Sequence, residues 1–289
     1  MVRFTPSLLL PFGFILLYGS GFVFTKYGLT SASPMAFLAI RFFIAFLILC
    51  LIAYFIKARW PSNYKEFMHI SIAGMLTVGT FSIGVFLSLA FGISASLSAL
   101  IIALQPILVS FLAIKFLGEE VNPKIWLGLL IGFFGVVFVV VMNIDMSSTK
   151  IFGVVFSIIA LLGLSFGNLY QKKYCAHMNL FAGGAIQTLS STLLVLPFLY
   201  FEEIRVVWDS KFIIALSYMS LGVSIGSLTL LYIMIKNGAV SKVSSIFYLV
   251  PVSAVIISYF LLDDALEWNV IIGITMVIFG IILVNKKEK

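Results

Sequence analysis

The sequence is poor in charge, cysteine and histidine, and each scarcity closes off a class of function. Charged residues make up 10% of the 289 positions, against about 25% in soluble domains. With 62% hydrophobic residues, the chain cannot coat its apolar surface with polar side chains and must turn that surface to lipid. The two cysteines, Cys50 and Cys175, stand apart and form no CxxC pattern, so they frame neither a disulfide scaffold nor a zinc ligand set. The two histidines, His69 and His177, and every carboxylate fall away from the middle of the apolar runs. HExxH, a mid-span aspartate pair and a membrane Cys-His pair are all missing. That weighs against an intramembrane enzyme, for example a lipid-modifying transferase, and against a proton relay built on Asp, Glu or His. No catalytic residue, metal site or cofactor is expected. The net charge is +7, but the lysines and arginines sit in short connections, with no basic stripe interleaved with aromatics. Nucleic acid is therefore not an expected partner.

Apolar length is what the chain does have. Ten runs long enough to cross a bilayer at about 20 residues each fit at about 8–28, 34–56, 67–91, 94–117, 124–143, 151–173, 180–201, 211–235, 239–262 and 267–285. Pro34, Pro61 and Pro123 punctuate run starts, and Ser62-Asn63 and Asn122-Pro123 read as turns. The stretch from Leu8 to Phe24 has no A-x-A cleavage pattern and reads as a retained first span. Thirteen of the 18 basic residues fall on the side of the N-terminus. The opposite side carries Lys26, Lys150, Arg205 and Lys211, and Arg41 lies within a span. By the positive-inside rule both termini are expected in the cytoplasm, the protein lying in a bacterial cytoplasmic (inner) membrane.

The runs also repeat. Pro106, Glu119, Gly128 and Gly135 return 145 positions later as Pro251, Asp264, Gly273 and Gly280. At an offset of 146, Gly21 and Lys26 match Gly167 and Lys172, and Arg41 falls opposite Gln187. The expected architecture is an all-α integral membrane fold of ten transmembrane helices in two five-helix repeats, residues 1–145 and 146–289, joined near 143–150. Because five is odd, the second repeat enters the membrane from the opposite side. Inverted repeats of this kind typify secondary transporters, whose substrate sits near the midplane between the copies.

Particular residues connect this pattern to a known family. Tyr18-Gly19-Ser20-Gly21 with Lys26, then Arg41, then Pro106 with Leu117-Gly118-Glu119, Gly128 and Gly135, and the second-half counterparts of these, resemble the drug/metabolite transporter superfamily. The resemblance is to its EamA branch of ten-span proteins, including aromatic amino acid exporters, and covers essentially the whole chain. Tyr18 stands where many relatives carry tryptophan, and Leu262-Asp263-Asp264 replaces the usual Gly-Glu ending. The resemblance implies two five-helix bundles around a central cavity, and amino acids or other small metabolites as cargo, with export by many relatives. Uptake of a nucleoside-like molecule or organic acid is the alternative within transport.

Helix rise of about 1.5 Å per residue puts the middle of each span near the midplane. That depth selects Tyr18, Gly79, Thr80, Gln105, Pro106, Gly163, Ser224 and the stretch from Tyr248 to Pro251. With neighbouring residues, the expected substrate site comprises Tyr18, Phe22, Thr80, Phe81, Gly84, Gln105, Pro106, Gly163, Phe166, Ser224, Tyr248 and Pro251. Gln105 is the expected hydrogen-bonding contact, the aromatics the apolar walls, and Pro106 and Pro251 kinks that free the carbonyls of Ile102 and Phe247. Leucine at Gln105 or a bulky residue at Gly84 is expected to block transport without unfolding the chain. Lys26 and Lys172 are expected to snorkel to the interface; Arg41 is expected to snorkel there or bind helix carbonyls, with attraction of a carboxylate or gating of the outer mouth as the alternative. Glu119 and Asp264 read as caps of span ends, and the glycines of spans five and ten as packing surfaces. The absence of acids at mid-depth favours a neutral, zwitterionic or anionic small-molecule substrate. The bilayer is the other expected partner, and the expected state is a monomer or weak homodimer.

Overall fold

A computed structural model describes residues 6–118, 123–143, 148–238, 240, 243, 245–262 and 268–285. Glu119 and Asp264, like Arg3, Lys242 and the basic residues after 285 in the charge count, lie outside the described residues.

Local chemistry sets the helix boundaries. Helix α1 runs Pro6–Gly28 and α2 Pro34–Phe55, the latter opening on a proline whose missing N–H costs nothing at a first turn. Asn63 opens α3 (Tyr64–Gly74) by accepting from the Glu66 N–H, and the Glu66 carboxylate returns a bond from the Ser62 N–H. The third span continues through a π-helical segment, Met75–Thr80, into α4 (Phe81–Ala90). Ser94 caps α5 (Ala95–Ile102), which breaks before α6 (Gln105–Leu117). Gly118, at φ +67°, closes α6 in the left-handed conformation that glycine adopts without strain. Then come α7 (Pro123–Asn143), α8 (Ser148–Cys175) and α9 (Leu180–Val195). The eighth run folds as α10 (Ser210–Ser217), a π-helical segment Tyr218–Ser227, and α11 (Leu228–Asn237). A 3-10 segment, Ser245–Leu249, leads into α12 (Val250–Leu262), and α13 (Trp268–Asn285) ends the described chain.

Among the described residues seven segments are long and apolar enough to cross a membrane: Leu9–Gly28, Pro34–Phe55, Tyr64–Ala90, Ala95–Leu117, Lys150–Cys175, Leu180–Phe201 and Ser210–Asn237. Three shorter apolar helices, Trp126–Gly135, Ile246–Leu261 and Ile271–Gly280, fall within the fifth, ninth and tenth runs. Among the described residues regular structure is helical, with one isolated bridge between Ala32 and Val206.

The prolines act more strongly than kinks. Around Pro106 the backbone turns through Ala103 and Leu104 and restarts as α6, and the span of Pro251 passes from 3-10 geometry into α12 just before the ring. Loss of the N–H and the clash of the ring with the preceding turn explain both breaks.

Packing follows pairs across the chain. Helix α7 lies against α13, α2 against α9, α4 against α8, and α1 against both α12 and the eighth-span segments. The first pair fits tightly: a Cβ at Gly280 would come 2.4 Å from the Gly128 carbonyl oxygen, and one at Gly135 2.9 Å from that of Gly273. These glycines therefore serve close helix approach. Large apolar side chains such as Phe12, Phe43, Leu51, Phe111 and Phe134 point outward, the surface a lipid-facing helix presents.

Candidate functional site

The central feature is a cavity of about 270 Å³ lined by Tyr18, Gly21, Phe22 and Thr25 of α1, Arg41 of α2, and Phe81, Ser82, Val85 and Phe86 of α4. Met219 and Val223 of the second π segment complete it. The α1 contribution is one helical face, since residues three and four apart stack along it. Tyr18 stacks on Phe81 with centroids 5.5 Å apart and meets Phe247 edge-on at 5.3 Å. Phe14 packs on both Tyr18 and Phe247 at 4.9 Å. The Tyr18 hydroxyl is buried and, among the described residues, has no hydrogen-bond partner.

Arg41 contradicts the snorkelling expectation. Its side chain is 3% exposed, and Nε–H donates to Ser224 Oγ at 2.9 Å. The guanidinium carbon lies 5.3 Å from the Phe42 ring centroid and 6.0 Å from that of Phe86. Packing of α2 against the second π segment holds the arginine inside. Lys172 also departs from snorkelling: its ammonium donates to the carbonyls of Ile235 and Gly238 at 2.8 and 2.9 Å, covering acceptors left open where α11 ends.

The residues picked by depth separate into groups. Tyr18, Phe22 and Phe81 line the cavity, and Ser224 touches it through Arg41. Thr80 and Gly163 form a packing pair, because a Cβ on Gly163 would lie 2.9 Å from Thr80 Cγ2, and the Thr80 hydroxyl is bound to the Met75 carbonyl. Gly84 faces backbone: a Cβ there would meet Phe156 O at 2.6 Å and Ala160 N at 2.7 Å. A bulky residue at Gly84 would thus separate α4 from α8, and its effect would report packing. Gln105 and Pro106 are buried at the helix break, and both ends of the Gln105 amide lack partners among the described residues. Pro251 is buried at the start of α12. Tyr248 belongs to a separate apolar cluster with Leu100, Leu129 and Val277, its ring beside Gly132. Phe166 is 44% exposed and outside the cavity lining.

Depth alone missed Gly21, Thr25, Arg41, Ser82, Val85, Phe86, Met219 and Val223. The usable signal was helical: starting from Tyr18 and Phe81, steps of three, four and seven reach Gly21, Phe22, Thr25 and Val85.

Two smaller cavities continue toward the end that carries Lys236. One of about 260 Å³ is lined by Leu49, Val78, Leu180, Gln187, Thr188, Ser224 and Tyr232 among others. The next, of about 210 Å³, shares Leu180 and Tyr232 and adds Gln171, Cys175 and Lys236. Polar pairs mark this course, with Thr77 and Tyr232 hydroxyls 3.1 Å apart and Gln187 Nε2 donating to Gln171 Oε1 at 2.8 Å.

The opposite end is strapped shut. The α1–α2 connection pairs with the chain after α9: Ser33 N–H donates to Arg205 O and Val207 N–H to Ser31 O, both at 2.8 Å, flanking the Ala32–Val206 bridge. The Glu202 carboxylate accepts from Ser33 Oγ and from the N–H groups of Met35 and Ala36, capping α2 from the other half of the chain. Asp209 accepts from Ser31 Oγ at 2.8 Å and from the Phe212 N–H, also at 2.8 Å. The Phe212 bond first, and the Ser31 bond second, hold the Asp209 carboxyl below its ordinary pKa.

A family model described as the EamA-like transporter family matches residues 5–141 and again 151–286. The chain is 25% identical to an uncharacterized transporter, YvbV, of Bacillus subtilis (strain 168), over 98% of this chain and 92% of that one. It is 22% identical to a protein of Escherichia coli (strain K12) named a probable amino-acid metabolite efflux pump, over 92% and 90% of the two chains. A crystal structure 17% identical superposes with a TM-score of 0.75 over 96% of this chain and 95% of the other.

Proposed function

The chain belongs to the EamA-like transporter family, and on that premise we propose that it is a secondary transporter of small metabolites, amino acids foremost, working outward across the cytoplasmic membrane by alternating access. The observation that carries this reading is the cavity between the two matched segments, with Tyr18, Phe22, Arg41 and Phe81 from one and Met219 and Val223 from the other. Polar side chains without partners, Tyr18 and Gln105, lie buried in the same bundle, an arrangement that a purely structural bundle would satisfy or replace.

The helix pairings support ten spans in two inverted repeats. Spans one and eight pack together as do their repeat mates, six and three; one packs on nine as six does on four. Spans two and seven pair with each other, as do five and ten. Such a pattern is two-fold in character, and an odd number of spans per repeat makes the relation an inversion. In this reading the strap of Glu202 and Asp209 closes the outer end, and the row of smaller cavities toward Lys236 marks the route from the cytoplasm.

The test is counterflow in proteoliposomes, with labelled amino acids first and nucleoside-like and organic-acid metabolites next. Saturable exchange that Gln105→Leu reduces at least tenfold, in protein that stays folded, is the expected result. Folded protein that exchanges none of these compounds would refute the reading.

A further inference from the structure

Building on the transport reading, we propose that Arg41 anchors a carboxylate of the transported molecule, and that the cavity takes small carboxylates bearing one apolar, ring-sized group. Arg41 is buried and lines the cavity. Among the described residues its guanidinium donates one hydrogen bond, from Nε to Ser224. An arginine carries five N–H donors, so four remain for a ligand. Among the described residues no carboxylate lines this cavity or either of the two beyond it. Glu66, Glu202 and Asp209 are engaged by backbone and hydroxyl groups at helix starts.

A buried cation with no counter-charge costs several kcal/mol in a low-dielectric interior, and an ionisable group at such depth marks a substrate path by default. The Phe42 and Phe86 rings ease the charge without neutralising it. A carboxylate matches the planar fork of the guanidinium with two parallel hydrogen bonds, which a lone hydroxyl or amide cannot. The unpartnered Tyr18 hydroxyl, on the same cavity, offers a further donor. Tyr18, Phe22, Phe81 and Phe86 supply apolar walls for the rest of the molecule. A cation without a carboxylate would face the arginine unshielded and is rejected.

The experiment measures binding of 3-phenylpropionate and of its amide, 3-phenylpropanamide, to purified protein by calorimetry, alongside L-phenylalanine. The pair has one shape and differs in charge. The acid is expected to bind at least tenfold tighter than the amide; Arg41→Gln should erase the difference and Arg41→Lys retain part of it. Equal affinities, or no binding by any of the three, would overturn the proposal. The wild-type comparison stands even where Arg41→Gln fails to fold. Counterflow with the same acid separates the two readings: acid-selective binding without exchange keeps the anchor and removes transport, whereas exchange indifferent to the carboxylate keeps transport and removes the anchor.

Discussion

Gly84 and Gly222 are two glycines on helices that border the cavity, and their surroundings set opposite expectations. At Gly84 an added Cβ would press on the backbone of α8, with Phe156 O at 2.6 Å and Ala160 N at 2.7 Å. Neither atom can rotate away, so Gly84→Leu should cost about 1–3 kcal/mol or more through overpacking. The expected outcome is a lower unfolding temperature and loss of monodisperse protein in detergent. At Gly222 the nearest contacts would be Tyr218 ring atoms at 3.5 Å, ordinary van der Waals distance. Gly222→Ala should be neutral, or stabilising by about 0.5–1 kcal/mol from reduced chain entropy. Equal tolerance at both positions would contradict the close approach of α4 and α8. Sequence depth could mark Gly84 as small and mid-membrane, but whether a small residue faces a void or a helix is set by its neighbour. The same limit governs Arg41: one sequence allows the side chain to reach the interface or to turn inward, and Ser224, 183 positions away, helps decide. Tyr18 and Phe81 were legible because each lies near the middle of its span, and Gly21, Thr25 and Val85 could then have been followed along the same helical faces.

Elements were more legible than side chains, because span length, proline position and capping residues act locally. The broken helices at Pro106 and Pro251 follow from prolines visible as a repeated pair. The π-helical segments Met75–Thr80 and Tyr218–Ser227 overlap at the repeat offset of 146, yet nothing in residue type announces them. They depend on wide hydrogen-bond registers that tertiary packing selects, such as the Thr80 hydroxyl reaching back to Met75. The N-cap of α10 shows what a cap contributes beyond its own helix. Asp209 holds both the Phe212 N–H and the Ser31 hydroxyl of the first half. Its folded pKa is depressed, so the stabilisation it gives is present above the unfolded value, about 3.9. It is lost as pH falls through the folded value. Hydrogen exchange of the peptide spanning 202–213, corrected for intrinsic rates, should be level from pH 5 to 8 and accelerate in stronger acid. Asp209→Asn, which still caps a helix but carries no charge, should shrink that acid step. An unchanged step in the variant would assign it to another group.

At the scale of the whole molecule, the proposed alternating access requires one end to open, and the strap names the contacts that would have to break. Ala32 and Val206 face each other between two flanking backbone bonds, Ser33 to Arg205 and Val207 to Ser31. That is the non-hydrogen-bonded position of an antiparallel pair, where Cα atoms sit about 4.5 Å apart, within the range a disulfide spans. The native thiols, Cys50 and Cys175, lie elsewhere and can be removed as Cys50→Ser and Cys175→Ala, the latter because its site is buried. On that background Ala32→Cys with Val206→Cys should cross-link readily on oxidation. Binding of a small ligand that enters from the Lys236 end should survive the cross-link, because the strap is already closed in this conformation. Exchange across the membrane should fall at least tenfold and return on treatment with dithiothreitol. Full exchange by fully cross-linked protein would show that the Asp209 end need not part at this bridge, and would confine the moving elements to the helices beneath it. The two single-cysteine variants under the same oxidation control for damage elsewhere. A loss confined to the double variant would place the rate-limiting opening at the seam between the two halves, where Glu202 and Asp209 of one half hold the first helical connection of the other.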